Sequence, residues 1–238
     1  NGYEAAYYPE YENDAKSNSD YRSRMYYRYE RRLLRIKTDF QGQIIGRKLR
    51  WYAGFSHYGV DIASVDIEKI NEGKSQDDML PSIDSVPGLY DRYVDWGVIP
   101  QKQVTGGFVN LLKTGVVYDT RDNEANPNHG IWTEGLLLTA PKFFGNNDFQ
   151  YTKFVLTHRQ YFTLIKKRLT FAYRLSYQAK ISGEMPFYML PFVYDTKITR
   201  DGLGGAKTLR GILRNRVVGE SMTFANFEFR WKDRKSVV

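Results

Sequence analysis

The chain has 238 residues, of which 42% are hydrophobic, so it carries enough apolar side chains to bury a core and is not expected to be disordered. No segment approaches the ~18 consecutive apolar residues of a membrane-spanning helix, which excludes a helical membrane protein. The formal net charge of +8 is compatible with binding to nucleic acid, with binding to anionic lipid or with simple solubility, and the absence of Cys excludes disulfides and thiolate metal sites.

Aromatic side chains make up 16% of the chain, with 19 Tyr, 14 Phe and 4 Trp. Tyr and Trp favour the boundary between membrane and water, so this content is typical of a membrane β-barrel, although a Tyr-rich soluble β-protein shares it. The basic residues are spread along the chain between apolar positions, and we therefore expect no nucleic-acid partner. The first residues, NGYEAAYY, lack the features of a signal peptide, so for a secreted barrel we expect the start of the protein to lie upstream.

Seven long segments are predicted to be β-strands, several with a clear alternation of apolar and polar residues and some with a mixed pattern. The clearest covers residues 167–181, where alternation continues over about fifteen residues, compared with ~5–6 in an average strand and ~9–11 in a tilted membrane strand. This length favours an all-β fold, an antiparallel transmembrane β-barrel. In chain order the segments are residues 21–38, 43–58, 106–120, 131–140, 150–164, 167–181 and 221–232.

The connections between these strands alternate in length. Outer-membrane barrels have short periplasmic turns and longer external loops. We therefore assign the two long connections, 59–105 and 182–220, to the outside, which places the turns at 39–42, 123–130 and 165–166 on the periplasmic side without contradiction.

The first long connection contains a candidate helix. Asp66 is positioned to cap a short helix that presents Ile67 and Ile70. We therefore expect an external loop that contains one or two helical turns. The nearby KSQDDM segment fits no calcium-loop spacing, so its carboxylates are interpreted as solvated.

Three ordered motifs resemble the outer-membrane barrels of the BamA/TamA superfamily. YDTRDNEANPNHG at residues 118–130 resembles a periplasmic hairpin signature, GLGGAKTLRGI at 202–212 resembles the tip of the longest external loop, and ANFEFRW at 225–231 resembles the strand after it. The resemblance covers the C-terminal half well and the first hundred residues by topology alone. It implies that the seven strands belong to a sixteen-stranded barrel, with POTRA domains and closing strands outside this sequence.

The resemblance also implies a contact between the loop tip and the barrel wall. In the family, the Arg of this motif reaches into the barrel and pairs with acidic residues on the inner wall. The matching Arg is Arg210, and Glu228 matches the first acidic partner, so we expect an ion pair between them. The complete motif consists of Leu209, Arg210, Gly211, Ile212 and Glu228, and three loop glycines allow the chain to fold back before it, namely Gly202, Gly204 and Gly205.

The hairpin motif has a structural interpretation that we favour over substrate contact. Opposite charges alternate where a strand enters a turn, proline stiffens the turn, and glycine supplies a permissive backbone before the next strand. The residues concerned are Asp119, Arg121, Asp122, Pro127 and Gly130.

Catalytic patterns are weak. His57, His129 and His158 are far apart in sequence, and GLGG is not surrounded by the βαβ pattern of a dinucleotide site. We expect no catalytic residue, metal or cofactor in this segment.

The resemblance implies that the protein lies in the bacterial outer membrane and inserts other outer-membrane proteins, templating their strands at a seam that this segment does not contain. The implied partners are outer-membrane lipids, nascent outer-membrane proteins and accessory lipoproteins. Two alternatives within the superfamily are secretion of a passenger protein and a barrel fused to an N-terminal patatin-like phospholipase. A passive porin is the alternative from another class, and a soluble basic β-protein that binds nucleic acid is a remote one.

Overall fold

A computed structural model describes residues 24–76, 79, 80, 82, 86–215 and 217–232. Half of the described residues are in strands and 12% are in helices, so the described part of the protein is all-β and mostly antiparallel, as predicted. Contacts divide the described residues into two compact units, one formed by residues up to Leu34 and by Gly59–Gly107, and the other by Arg35–Tyr58 and the residues from Phe108 onward.

Seven long strands form one open sheet in the order β1-β2-β3-β4-β5-β6-β9, so β1 and β9 are its edges. All but one of the consecutive neighbours are also consecutive in the chain, which gives an up-and-down arrangement. Within the described residues the sheet is not closed, so the sixteen-stranded barrel stays a prediction. The strands are β1 (Glu30–Ile45), β2 (Leu49–Ala63), β3 (Gly106–Asp119), β4 (Gly130–Ala140), β5 (Tyr151–Ile165), β6 (Leu169–Gly183) and β9 (Ser221–Trp231), with a separate two-stranded sheet of β7 (Phe192–Val193) and β8 (Arg200–Asp201).

The first unit contains the helices of the connection after β2. Helix α1 (Ile67–Asn71) begins at Asp66, whose side chain accepts a hydrogen bond from the Lys69 amide at 3.0 Å, which confirms the predicted cap. Helix α2 spans Leu89–Asp95, and the hydroxyl of its buried Tyr90 donates to the Val104 carbonyl. The described part of the chain also has 3₁₀ turns at Arg24–Tyr27, Gln101–Gln103, Lys142–Phe144 and Phe187–Met189.

The first hairpin turn was predicted at the wrong place. The chain turns at residues 46–48, whereas residues 39–42 lie inside β1. Asp39 is held in the strand by Lys113 of β3, whose ammonium donates to its carboxylate, and Gly42 lies under the ring of Trp51. Lys113 is 74 residues from Asp39 in sequence, and Trp51 lies on the following strand. The local Asp and Gly composition therefore indicated a turn, although contacts with other strands keep both residues in β1. Other bounds also differ from the prediction: β2 continues to Ala63, beyond the predicted end at residue 58, and β1 starts at Glu30, while residues 21–23 lie outside the described part. The turn predicted at 165–166 lies at residues 166–168, so Ile165 belongs to β5 and β6 starts at Leu169.

The two faces of the sheet differ in polarity. We call the face that is covered by residues 184–220 the inner face, and the opposite face the outer face. On β6 the inner face carries Thr170, Arg174, Ser176 and Gln178, and on β9 it carries Asn226, Glu228 and Arg230. The outer face presents exposed apolar side chains, which on β6 and β9 include Leu175, Tyr177, Ile181, Phe227, Phe229 and Trp231. This is the alternation predicted from the sequence.

Candidate functional site

The connection between β6 and β9 folds back over the inner face of the sheet. Its apolar contact is a small buried cluster in which Val193 and Leu203 of the connection pack against Met222 and Phe224 of β9, with Leu209 beside them. Burying these side chains favours the folded-back position by about 1.5–3 kcal/mol for each fully buried one. The rest of the attachment is polar.

Asp195 organises the polar part of this attachment. One carboxylate oxygen accepts hydrogen bonds from the amides of Lys197 (2.8 Å) and Ile198 (2.5 Å), which fixes the turn between β7 and β8. The other oxygen lies 2.7 Å from Arg200 of the connection and 3.6 Å from Arg159 of β5. The Asp195 side chain is only 4% exposed. Burying a carboxylate is costly without positively charged partners, and these two guanidinium groups are the partners.

The inner wall holds this segment from three neighbouring strands. Glu134 of β4, which is fully buried, accepts hydrogen bonds from the amide and hydroxyl of Thr196 at 2.9 and 2.5 Å. Arg159 of β5 lies 4.2 Å above the ring of Trp132, which supports it beside Asp195. Gln178 of β6 donates to the Tyr194 carbonyl at 3.1 Å. The connection is therefore bound to the wall of the sheet.

The LRGI segment lies at the far end of the connection. Gly202, Gly204, Gly205 and Gly211 all have positive φ angles, between 76° and 112°, which only glycine adopts without strain. The amide of Gly205 donates to the Ile212 carbonyl at 2.8 Å, so the two arms of the tip are hydrogen-bonded. The side chain of Leu209 faces the apolar cluster, Ile212 is half-buried, and Arg210 and Gly211 are exposed.

Arg174 of β6 seats this tip on the inner face. Its guanidinium donates to the Thr208 carbonyl at 2.9 Å, to the Lys207 carbonyl at 3.4 Å, and to Asn226 Oδ1 at 2.6 and 2.9 Å. Asn226 in turn donates to the Thr208 carbonyl at 3.0 Å, and Arg174 covers the ring of Phe224 at 4.9 Å. A planar guanidinium is suited to this role because it binds several acceptors at fixed angles.

A cavity of about 420 Å³ lies beside these contacts and is lined by residues of both the LRGI tip and the inner wall. Arg210 and Glu228 both line it, but neither an ion pair nor a hydrogen bond joins them in the described part of the chain. Glu228 accepts hydrogen bonds from Arg230 at 3.0 and 3.1 Å instead. The expected contact between Arg210 and Glu228 is therefore absent from this structure, because the neighbouring Arg230 takes the carboxylate and Arg174 holds the tip.

A family model described as the Omp85 superfamily domain matches residues 4–232. The chain belongs to the Omp85 superfamily. The resemblance to BamA/TamA-type barrels is thereby supported, since these are members of that superfamily. Members of the Omp85 superfamily are components of bacterial or organellar outer membranes that serve protein insertion or secretion, and the superfamily is not an enzyme family. A comparison with curated proteins gave no match.

Within this Omp85 chain, the inner-wall residues that seat the connection were not predicted. Arg174 alternates with apolar residues in β6, which places it on the polar face, but this pattern does not indicate its partners. Glu134 shares its face of β4 with the apolar Trp132 and Leu136, and Arg159 lies in a mixed segment, so alternation did not identify either of them. The available signal was the length of these side chains at consecutive inner positions of neighbouring strands, since large charged groups on an enclosed face need partners.

A double-mutant cycle tests whether Arg210 acts through Glu228. We expect Arg210→Ala and Glu228→Ala to show a coupling energy near zero in the free energy of unfolding, because no contact joins them. Glu228 and Arg230 are 48% and 38% exposed, so their pair contributes ~0–1 kcal/mol. Urea titration of the wild type, the two single variants and the double variant in detergent measures the coupling energy. A coupling energy above ~1 kcal/mol would contradict this expectation and support a direct contact between Arg210 and Glu228.

The YDTRDN hairpin of this Omp85 chain is organised by its charges. Asp119 receives two hydrogen bonds from Arg121 at 2.8 and 2.9 Å and lies 3.0 Å from Arg50 of β2. Asp122 accepts from the amides of Asn128 at 2.9 Å and His129 at 3.3 Å, which closes the loop, and Pro127 is buried. These contacts agree with a turn fixed by ion pairs and hydrogen bonds.

The turn has a predictable pH dependence. Burial by itself raises the pKa of the Asp122 carboxyl, but the hydrogen bonds from Asn128 and His129 together outweigh it and hold the pKa below the ordinary value of 3.8. A lowered pKa in the folded state stabilises the turn at pH values above 3.8, and this stability is lost as the pH falls through the folded-state value. Hydrogen exchange measured by NMR should show that the amides of Asn128 and His129 lose protection below about pH 3.8, after correction for intrinsic exchange. Asp122→Asn should remove this pH dependence, and an unchanged profile would contradict the assignment.

Gly130 is required by the backbone of this turn. Its φ is +102°, and a Cβ placed there would lie 2.4 Å from the Thr120 carbonyl oxygen and 2.8 Å from the Arg121 Cα, both backbone atoms that cannot rotate away. We expect Gly130→Ala to lower the free energy of unfolding by about 2 kcal/mol in a urea titration. Gly135→Ala in the same strand is the matched control, because no atom lies within 4 Å of its Cβ position, and it should change little. Equal effects of the two substitutions would contradict this account.

The described residues contain no group of three His, Asp or Glu side chains placed to hold a metal ion. His57 hydrogen-bonds Asn110 at 2.7 Å, His158 contacts Thr133 and Tyr173, and His129 lies 3.4 Å from Asp122. Each histidine therefore has separate neighbours. No helix in the described part is long and apolar enough to cross a membrane.

Proposed function

We propose that this chain is part of a transmembrane β-barrel of the BamA/TamA type, which inserts other proteins into the bacterial outer membrane by templating their strands at the barrel seam. The superfamily membership supports insertion or secretion in general. Edge pairing supplies the physical basis, because an open strand edge offers backbone donors and acceptors to an incoming strand. The proposal includes seam strands and POTRA domains elsewhere in the full protein, and accessory lipoproteins as partners.

The observation that carries this proposal is the seating of residues 184–220 on the inner face. Glu134, Arg159, Arg174 and Gln178 are all engaged by that connection rather than by solvent. A passive porin needs a water-filled interior with polar side chains left open to solutes. The covered inner face therefore favours a barrel whose interior holds a structural element over an open channel.

A depletion experiment tests the proposal. Cells in which the protein is depleted should lose other outer-membrane β-barrel proteins from their membranes, and the wild-type gene should restore them. A variant that releases the connection, such as Asp195→Ala, should restore them poorly at equal protein level, whereas exposed Asp148→Asn should restore them fully.

The same cells distinguish the alternatives. Loss of one secreted protein with unchanged barrel proteins would point to secretion. Loss of a lipid-hydrolysing activity alone would point to a fused phospholipase. Steady channel conductance with no effect of depletion on either class would point to a porin and overturn the proposal.

A further inference from the structure

Two hairpin turns at the same end of the sheet share a pattern that the proposed insertion function does not explain. In the first, Ile44 and Ile45 are followed by Gly46, Arg47 and Lys48. In the second, Leu164 and Ile165 are followed by Lys166, Lys167 and Arg168. Each turn thus places two or three cations within three residues after two aliphatic side chains, which are between 47% and 66% exposed. We call the five cations Arg47, Lys48, Lys166, Lys167 and Arg168 the basic turns.

The basic turns have no acidic partner among the residues that the structure describes. All five side chains are exposed, and no ion pair joins any of them to a carboxylate in the described ranges. The acidic residues at the β3–β4 hairpin, which lies at this end, have other partners: Asp119 at the end of β3 binds Arg50 and Arg121, Asp122 binds backbone amides, and Glu124 pairs with Lys197. In the described part of the chain, this end of the sheet therefore carries unbalanced positive charge.

The backbone of the second turn does not call for lysine. Lys167 has a φ of +62°, a left-handed conformation in which glycine or asparagine is the favoured residue. The Arg168 amide closes the turn by donating to the Ile165 carbonyl at 2.9 Å, a bond that any side chain at position 167 would allow. The turn therefore keeps a cation where its geometry disfavours one.

An exposed aromatic surface adjoins the second basic turn on the outer face. The strand register aligns Phe162, Phe171 and Phe229 in one row across β5, β6 and β9, and aligns Tyr173 with Phe227 in the next row. Their rings lie 5.0 to 6.4 Å apart, and Phe229 is 72% exposed. Trp231 pairs with Leu169, next to the turn, and is 60% exposed. We call these six aromatic residues the aromatic belt.

We propose that the basic turns and the aromatic belt form a binding surface for anionic phospholipids, with the belt in the acyl region and the cations on the headgroup phosphates. This inference rests on the proposed barrel, because it needs the outer face to contact lipid. Cations on long stems beside exposed aliphatic and aromatic side chains match a charged headgroup above an apolar layer. A soluble acidic partner would account for the cations but not for the exposed apolar residues around them.

Lipid retention by the purified protein tests the inference. The protein is placed in nanodiscs of equal parts phosphatidylglycerol and phosphatidylcholine, and the lipids that remain bound on release are counted by native mass spectrometry. We expect the wild type to retain phosphatidylglycerol in excess. The variant Lys166→Gln, Lys167→Asn, Arg168→Gln should lower this excess at least about threefold, since each cation near an anionic surface contributes to binding. Asparagine keeps the left-handed turn accessible.

The matched control removes the same charge elsewhere. Lys142→Gln, Lys207→Gln, Arg214→Gln takes three exposed cations from the other connections and should leave the phosphatidylglycerol excess unchanged. An equal loss in both variants, or a wild type that retains both lipids equally, would overturn the inference. Protease protection of the strands in the same nanodiscs tells the two proposals apart: strands that are not protected refute the barrel, whereas protected strands without lipid preference refute only the lipid surface.

Discussion

Replacing Asp195 with alanine should lower the free energy of unfolding by roughly 3–5 kcal/mol, the cost that is typical of removing one partner from a buried ion pair. The carboxylate is almost fully buried and lies between Arg159 and Arg200, whose side chains are both 20% exposed. Without it, two guanidinium groups face each other on the inner face, and the amides of Lys197 and Ile198 lose their acceptor. Urea titration in detergent, followed by tryptophan fluorescence, measures the change, and Trp132 beneath Arg159 reports directly on the site.

Two further variants separate the sources of this loss. Asp195→Asn keeps an oxygen for the two amides but removes the charge, so it should retain part of the stability. Asp148→Asn changes an exposed carboxylate in the connection between β4 and β5 and should alter the free energy of unfolding by less than ~0.5 kcal/mol. If Asp195→Ala proved as mild as Asp148→Asn, the connection would not depend on this carboxylate.

Much of the sheet could be predicted because residues on the two faces of a long strand differ in polarity, and this difference is visible in the sequence. Alternation in β6 and β9 depends on side chains that face either the apolar outer surface or the polar inner one, and this period is visible without knowledge of the neighbours. The position of the first hairpin turn could not be predicted in this way. Asp39 and Gly42 have the composition of a turn, but Lys113 and Trp51 keep them within a strand. A contact across many residues overrode a local preference.

The same distinction applies to the site. The glycines of the LRGI tip were identified from sequence because a tight fold has local requirements, and their positive φ angles agree with this interpretation. The polar partners of the connection could not be identified, since pairing Glu134 with Thr196 or Asp195 with Arg159 depends on how a long loop lies across several strands. The expectation for Arg210 came from resemblance alone. The geometry of this chain assigns the seating of the tip to Arg174.

Replacing Arg174 with leucine should release the LRGI tip and cost roughly 3 kcal/mol of stability, because hydrogen-bond acceptors on the inner face lose a charged donor and Phe224 loses its cover. Hydrogen exchange followed by mass spectrometry should show faster deuterium uptake in peptides that cover residues 202–212. Arg174→Lys should recover little of the protection, since an ammonium cannot reach Thr208 and Asn226 with the fixed geometry of a guanidinium.

Arg210→Leu is the matched control, because it makes the same substitution on the tip itself. Arg210 is exposed and forms no ion pair in the described part of the chain, so its replacement should leave the uptake of residues 202–212 and the free energy of unfolding nearly unchanged. The two substitutions thus distinguish whether Arg174 or Arg210 holds the loop tip. If Arg210→Leu released the tip while Arg174→Leu did not, the tip would be held by the motif's own arginine, and the cavity beneath it would have to close around that side chain. If only Arg174→Leu released it, Arg210 would stay free at the cavity wall, where an effect of Arg210→Ala on assembly without loss of stability would assign it a role in function rather than in folding.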